Sequence, residues 1–532
     1  MRFFIKLLTM KKTNPIIEYI YPKRILSSSL CLNKKIFLKK YHLIHSFETN
    51  NCATMRNNGH IVLDFDMEYS GGIRILTVFH PAKNNLAKLR IRLGESLGEV
   101  NQEFLSNYAG NDHSPRDFTV EVPQLSDLTF GNSGFRFVRI DNISGVDIIL
   151  RAVLLSYQHI NLKPKGYFIC DDERINKIFD ISLRTAYMCI QNGFLVEAIK
   201  RDRLVWSGDL YVQLKTTLDI LGCFDAVTNS LDALKKVNSL DKWMSGIPSY
   251  SIWYLLNVNE VYKFSGDKKW LNKHIGYMKS IVIKLGEYLK EENASNRADF
   301  IDWTSNGNKD CNAAVSSFAV YAFKTIKPLF DDSTFIDEII NRIKIPNIDQ
   351  NTYKGIRAIY EYGKHDYPEA LLNDGVNTMS TFLSYAVYDI MDKNGFTSEA
   401  TEKMKEYYGM MLDINATTFF EAYDSKWVGG KVDEYDSNKL YFHQNYGDYC
   451  YKGYRLSLCH AWRSGPVPFL LENVSGIQRI DDTTYKIEPH MGNLRHIKAG
   501  IMTKNGLLKI ELNNKQGKIE YKLDVPKGIK II

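Results

Sequence analysis

Near residue 165 the spacing of apolar residues changes from every second position to about every 3.6, and no other feature limits the fold so strongly. Upstream, residues 60–65, 72–78, 89–93, 118–122, 135–140 and 148–153 form short runs rich in β-branched and aromatic residues with turn residues between them. Alternation of that kind predicts an antiparallel β-sandwich, closed by Pro164-Lys165-Gly166. Downstream, Asp171-Asp172 are candidate helix caps, and Ile175, Phe179, Leu183, Tyr187 and Ile190 recur at the step of one buried helical stripe. Further helices are expected over 210–221, 250–264, 268–290, 311–327, 333–343, 377–393 and 399–411, so a large all-α region follows. Past residue 475 the two-residue period returns, with Lys504-Asn505-Gly506 and Lys515-Gln516-Gly517-Lys518 as hairpin signals. At 532 residues the chain is too long for one core. The expected divisions are a basic N-terminal segment with lead-in strands (1–57), a β-sandwich (58–165), a helical domain (166–468) and a small C-terminal β domain (469–532).

Charge narrows the function. Residues 1–47 carry ten Lys/Arg against Glu18, a net +9 within the formal +7, which leaves residues 48–532 at −2. A near-neutral body has no electrostatic footprint for nucleic acid, and the basic arm reads as a solvated tail. The eight cysteines (Cys31, Cys52, Cys170, Cys189, Cys223, Cys311, Cys450, Cys459) form no CxxC pair, so reduced thiols are expected, with neither a zinc site nor a disulfide framework. The apolar run after Met1 is short and broken by Lys6, and no stretch approaches the roughly 20 apolar residues that span a bilayer. A cytoplasmic location is expected, with a periplasmic one the alternative.

Chemistry concentrates in residues 196–209, where Glu197, Asp202, Asp209, Lys200, Arg201, Arg203 and Trp206 fall within fourteen positions. Burying so many charges is costly unless they pair or bind something, so the stretch predicts a polar cleft; a solvated cluster at a helix start is the plain alternative. Glu421 stands among apolar and hydroxyl residues in Thr417-Thr418-Phe419-Phe420-Glu421, surroundings that suit a general base. His460 and Trp462 precede Gly465-Pro466, and Asp302-Trp303 follows Phe300-Ile301. These pairs are candidate sugar contacts or ordinary structural residues. Phosphate-binding glycine loops, HExxH and GxSxG are all missing from the sequence. Two carboxyl regions on a helical scaffold that holds all seven tryptophans suit glycosidic-bond cleavage, which needs a proton donor and a second carboxylate.

Several segments, in order, resemble family 78 glycoside hydrolases, the bacterial α-L-rhamnosidases: Leu63-Asp64-Phe65 with Gly71-Gly72, Gly94-Glu95-Ser96, residues 111–117, Gly134-Phe135-Arg136-Phe137, Lys200-Arg201-Asp202-Arg203 with Trp206-Ser207-Gly208-Asp209, residues 417–421, and Ser457-Leu458-Cys459-His460. The resemblance runs from about residue 58 to the C-terminus and implies an (α/α)6 barrel between the two β domains. It implies an inverting exo-glycosidase that removes terminal α-L-rhamnose or a similar deoxysugar from an oligosaccharide or glycoside. Asp202 takes the position of the general acid and Glu421 that of the general base. Glu197, Arg201, Arg203 and Asp209 would frame the subsite, with Trp206, Asp302, Trp303 and His460 as further substrate contacts, and neither cofactor nor metal is implied. The family more usually has Glu where this chain has Asp202, and Asp where it has Glu197. One missing methylene withdraws the acid by about 1.5 Å, a displacement that can cost about a hundredfold in rate. Two alternatives stay open: a hydrolase or lyase for uronic-acid glycans on the same scaffold, and a carbohydrate-binding protein without turnover.

Overall fold

The structure is a computed structural model that describes residues 15–40, 48–290, 297–373, 375–376, 379–424, 426–427, 429–438, 442–445 and 451–532. Its first part is a seven-stranded sheet of β1 (Pro15–Ile20), β2 (Arg24–Leu32), β3 (Ala53–Thr77), β4 (Leu86–Gly94), β5 (Asp117–Pro123), β6 (Asp127–Asn142) and β7 (Ile148–Ile160). The first half of β3 lies between β2 and residues 137–141 of β6, and its second half between residues 127–135 of β6 and β7. The β3–β7 pairing is parallel, where a wholly antiparallel sandwich was expected. Close approach there depends on Gly71, because a Cβ at this position would lie 1.9 Å from the Ser156 carbonyl oxygen. The expectation of a solvated basic tail fails over residues 15–40, since β1 and β2 join the sheet and Arg24 pairs with the buried Asp64 and with Asp433. Residues 1–14 lie outside the described residues.

A short helix α1 (Leu97–Asn101), capped by the Ser96 side chain on Glu99 N–H, follows β4. The helical part then comprises α2 (Glu173–Met188), α3 (Leu210–Thr216), α4 (Phe224–Val237), α5 (Pro248–Ser265), α6 (Lys268–Tyr288), α7 (Asp310–Ile326), α8 (Thr334–Ile340), α9 (Lys354–Lys364), α10 (Ser384–Lys393) and α11 (Thr397–Asp413). Asp172 caps α2 as expected, accepting from Arg174 N–H (2.9 Å) and Ile175 N–H (3.1 Å). Ile175 and Phe179 are buried beside Ile178 and Ile181, while Leu183 and Tyr187 are only partly covered. Helices α4 and α9 were not expected from the sequence, and α10 begins at Ser384 rather than at 377, which lies outside the described residues. Packing runs in a ring: α3 on α5, α5 on α7, α7 on α9, α9 on α10, α10 on residues 469–474, and residues 466–468 back on α3. Helices α4 and α6 lie against α5, α8 against α6 and α7, and α2 against α11.

After β8 (Tyr167–Cys170) and the helices come β9 (Ile477–Arg479), β10 (Thr484–Ile487), β11 (His496–Thr503), β12 (Gly506–Lys515), β13 (Lys518–Asp524) and β14 (Lys530–Ile531). Both expected hairpins form, closing on the Thr503–Gly506 and Lys515–Lys518 pairs. Gln516 (φ 52°) and Gly517 (φ 89°) supply the left-handed backbone of the second turn. Strand β8 pairs with β11, so residues 167–170 belong to the C-terminal sheet although the sequence reading places them in the helical domain. The seven described cysteines are unpaired thiols, and Cys450 lies outside the described residues. Among the described residues no helix is long and apolar enough to cross a membrane.

Candidate active site

At the N-terminal ends of α3 and α5 a cavity of about 430 Å³ is lined by Glu197, Asp202, Trp206, Asp209, Trp303, Glu421 and His460 from the expected set. Ser245, Ile247, Tyr250, Phe300, Tyr451 and Trp462 complete it. Glu421 is 2 % exposed and held at both oxygens by the terminal Nη2 of Arg201. Ser457 N–H donates to its Oε2 at 3.1 Å, and the Trp462 indole donates to its carbonyl at 3.1 Å. Burial is the largest influence and pushes this carboxyl up, but Arg201 and, after it, the other groups around it together hold it below the usual range. It is therefore an ionised acceptor at neutral pH, as a base must be.

The other terminal nitrogen of Arg201, Nη1, donates to Asp202 Oδ2 at 2.6 Å. One planar guanidinium thus spans the two carboxyls, spacing them by its own width. Asp202 (φ 53°) and Arg203 (φ 53°) are consecutive left-handed residues, each about 1–3 kcal/mol above relaxed backbone. The reversal is closed by Arg203 N–H to Arg201 carbonyl at 2.6 Å. It aims Asp202 into the cavity between Arg201 and His113, whose Nδ1 accepts Asp202 N–H at 2.9 Å and also touches its Oδ1.

Two further carboxyls that line the cavity are pushed above their ordinary values. Glu197 is pushed well above its ordinary value by burial, reinforced by Asp209, and its Oε2 accepts Leu204 N–H at 2.7 Å. Burial pushes Asp209 up to about 8, and Tyr250 donates to its Oδ2 at 3.0 Å. His460, stacked on Trp462 with ring centres 4.0 Å apart, is pushed down to about 3 by burial and is a neutral imidazole. Glu197 Oε1 and His460 Nδ1 are both buried without a protein partner, the condition of atoms that await a ligand.

Three expected substrate contacts do not line the cavity. Arg201 stacks on Tyr451 at 3.7 Å, with its terminal nitrogens spent on the two carboxyls. Arg203 is half-buried, its proton affinity lowered by burial and supported by Glu197. Asp302 is buried beneath Trp303, accepting from Trp303 N–H and, at 3.1 Å, from the Thr304 hydroxyl. Tyr250 and Tyr451 were missed; the signals were a Tyr two positions after the Pro248 that starts α5 and the dense tyrosines of 441–454.

A larger cavity, about 620 Å³, opens at the other ends of α3, α5 and α10. Of its buried carboxylates, Glu472 pairs with Lys215 (2.6 Å) and Asp389 with Lys393 (2.6 Å), while Asp392 accepts from Thr397 and Asn473 and meets the His490 ring at 2.9 Å. Among the described residues Glu95, Glu99 and His443 lie close enough to share an ion. The Lys200 ammonium already lies 3.3 Å from Glu95 and 3.0 Å from Glu99, which makes this a structural ion cluster.

Residues 163–327 match the family model of the bacterial alpha-L-rhamnosidase six-hairpin glycosidase domain. No curated protein matches the chain. Among solved structures, the family 78 rhamnosidase of Bacillus sp. GL1 superposes with a TM-score of 0.72 at 17 % identity, over 89 % of this chain and 52 % of that one. The α-L-rhamnosidase of Dictyoglomus thermophilum gives 0.68 at 18 % identity over 90 % and 58 %, and the rhamnose-bound rhamnosidase of Klebsiella oxytoca gives 0.68 at 16 % over 86 % and 96 %. The chain thus spans between half and three fifths of the length of the first two. Residues 163–327 thus match the six-hairpin glycosidase domain of bacterial α-L-rhamnosidases, and the chain shares the fold of family 78 rhamnosidases.

Proposed function

We propose that the protein is an inverting exo-glycosidase that hydrolyses terminal α-L-rhamnosyl or similar deoxysugar residues. The ring of α3, α5, α7, α9, α10 and residues 466–474 forms the inner layer of an (α/α)6 barrel, and the cavity at its rim takes one sugar ring. The observation that carries the reading is the Arg201 fork, which spaces Asp202 from the ionised Glu421 across the cavity. Inversion requires the two carboxyls roughly 6.5–9.5 Å apart, with the attacking water beside Glu421. Asp202 protonates the leaving oxygen, and Glu421 takes a proton from the water that attacks the anomeric carbon. Neutral Glu197 and Asp209 donate to sugar hydroxyls, while His460 Nδ1 accepts from one. Trp206 and Trp303 supply apolar faces for the methyl side of the sugar. Arg201 is consumed by Glu421 and Asp202, and no Lys or Arg is among the described residues that line the cavity, which disfavours a uronate carboxylate there.

Incubation with p-nitrophenyl α-L-rhamnoside beside a panel of aryl glycosides tests this, with proton NMR of the first-formed sugar. The reading requires rhamnoside cleavage with inverted anomeric configuration, abolished in Glu421→Gln. Cleavage that persists in both Asp202→Asn and Glu421→Gln removes it.

A further inference from the structure

We propose that the larger cavity, at the other ends of α3, α5 and α10, is a second and noncatalytic site that binds a neutral saccharide. The proposal goes beyond the glycosidase reading and does not depend on the roles given to Asp202 and Glu421.

Helices α3, α5, α7 and α10 form one wall of this cavity, and Gln478, Arg479, Ile480 and His490 of the C-terminal part form the other. At about 620 Å³ it exceeds the cavity of about 430 Å³ at Asp202 and Glu421, so a sugar ring that the first can take has room in the second. An aromatic layer separates the two. Tyr250 and Trp462 line the first cavity and touch Phe382, with ring centres 6.4 and 5.1 Å away. Trp253 packs on Phe382 at 6.1 Å and on Tyr211 at 4.9 Å, and Tyr211 lines the second cavity.

The pairing of charges argues against an ionic ligand. Each Lys or Arg that lines the cavity already faces a carboxyl: Lys215 lies 2.6 Å from Glu472, Lys263 3.4 Å from Glu260, Lys393 2.6 Å from Asp389, and Arg479 pairs with Asp219. The remaining carboxyls are met as well, Glu488 by Lys486 at 2.5 Å and Asp392 by Thr397, Asn473 and His490. A charged guest would have to break one of these pairs and strand a buried partner. A wholly apolar guest would cover the same groups and offer them no hydrogen bonds.

What remains for a guest is neutral. Tyr211, Tyr321 and Tyr385 bring three aromatic rings to the wall, and the hydroxyls of the first two make no hydrogen bond to the described residues. Asn473 is 5 % exposed; its Nδ2 donates to Asp389 at 3.0 Å and to Asp392 at 2.9 Å, but its Oδ1 is buried without a partner. A buried acceptor left unmet by the protein calls for a donor from outside it. Aromatic rings beside neutral donors and acceptors complement a sugar, which is apolar on its ring faces and hydroxylated around its edge.

Saturation-transfer NMR titrations of the full chain test this, with L-rhamnose, D-glucose, maltose and sucrose as neutral probes and D-glucuronate and D-glucosamine as charged ones. Tyr321→Leu removes one ring, and Gln478→Trp fills the cavity from β9; neither residue lines the cavity at Asp202 and Glu421. At least one neutral probe is expected to bind the parent and to bind both variants about tenfold more weakly. Their kcat and KM on p-nitrophenyl α-L-rhamnoside should stay at the parent's values, which places the loss outside the first cavity. Melting curves check that each variant is folded, and if one is not, the other decides. Equal binding by parent and folded variants, preference for a charged probe, or no binding at all, as for a solvent-filled cavity, overturns the proposal. If no rhamnoside is cleaved, the functional reading falls, and the comparison of sugar binding still decides this site.

Discussion

Asp202 and Glu421 share one arginine and differ in the second neighbour of each. Glu421 has Ser457 N–H, a donor that stabilises charge, whereas Asp202 has an imidazole nitrogen. Asp202→Asn and Glu421→Gln are each expected to lower kcat by about 10²–10⁴-fold, measured on phenyl α-L-rhamnoside with folding checked by circular dichroism. Asp209 gives a pH signature of its own. Its affinity in the folded state, about 8, lies above the ordinary 3.9 of an unfolded aspartate, so the folded chain holds this proton more tightly. Its contribution to stability is fully present below about pH 4 and is lost as pH rises toward 8. Asp209→Asn, which cannot ionise, should therefore gain thermal stability relative to the parent progressively over that window. A constant difference between the two melting curves would show that Asp209 does not titrate there.

At the scale of elements, glycines mark where segments touch. A Cβ at Gly166 would lie 2.5 Å from the Asp219 carbonyl oxygen and 2.8 Å from that of Gly500, and neither backbone can retreat. Gly166→Ala is expected to lower the melting temperature by several degrees, about 1–3 kcal/mol for overpacking of this kind, in a thermal scan. A Cβ at Gly208 would meet the Tyr250 ring at 2.6 Å and lever its hydroxyl off Asp209, so Gly208→Ala should raise KM more than it lowers stability. Local signals predicted the elements they fully determine: the hairpin at Gln516-Gly517 and the start of α2 at Asp172. Elements defined by distant partners were not legible. Strand β8 is four residues whose identity depends on β11 more than 300 positions later, and α9, with its 354–364 stripe, was obscured by neighbouring polar loops.

For the whole molecule, the joint between the N-terminal sheet and the helices is a buried ion cluster. Lys200 donates to the Leu456 carbonyl at 3.0 Å and pairs with Glu95 and Glu99, and Glu99 pairs with Arg116 at 2.8 Å. Lys200→Met leaves the buried Glu95 without its ion pair and Glu99 with Arg116 alone, at a cost of about 3–5 kcal/mol, read by chemical denaturation. Activity should fall with it, because Arg201 and Asp202 follow directly in the chain. The crowding of Glu197, Lys200, Arg201, Asp202 and Asp209 was legible because few other folds can bury such a segment. Which of these groups face the cavity was not, since that depends on left-handed backbone at Asp202 and Arg203, conformations that nothing in their residue types demands. The placement of Arg201 has a pharmacological corollary. A cationic ring mimic gains by pairing with acidic groups, and here the Arg201 guanidinium behind the cavity already pairs with both Asp202 and Glu421. Uncharged ring mimics should therefore outperform cationic ones against this protein.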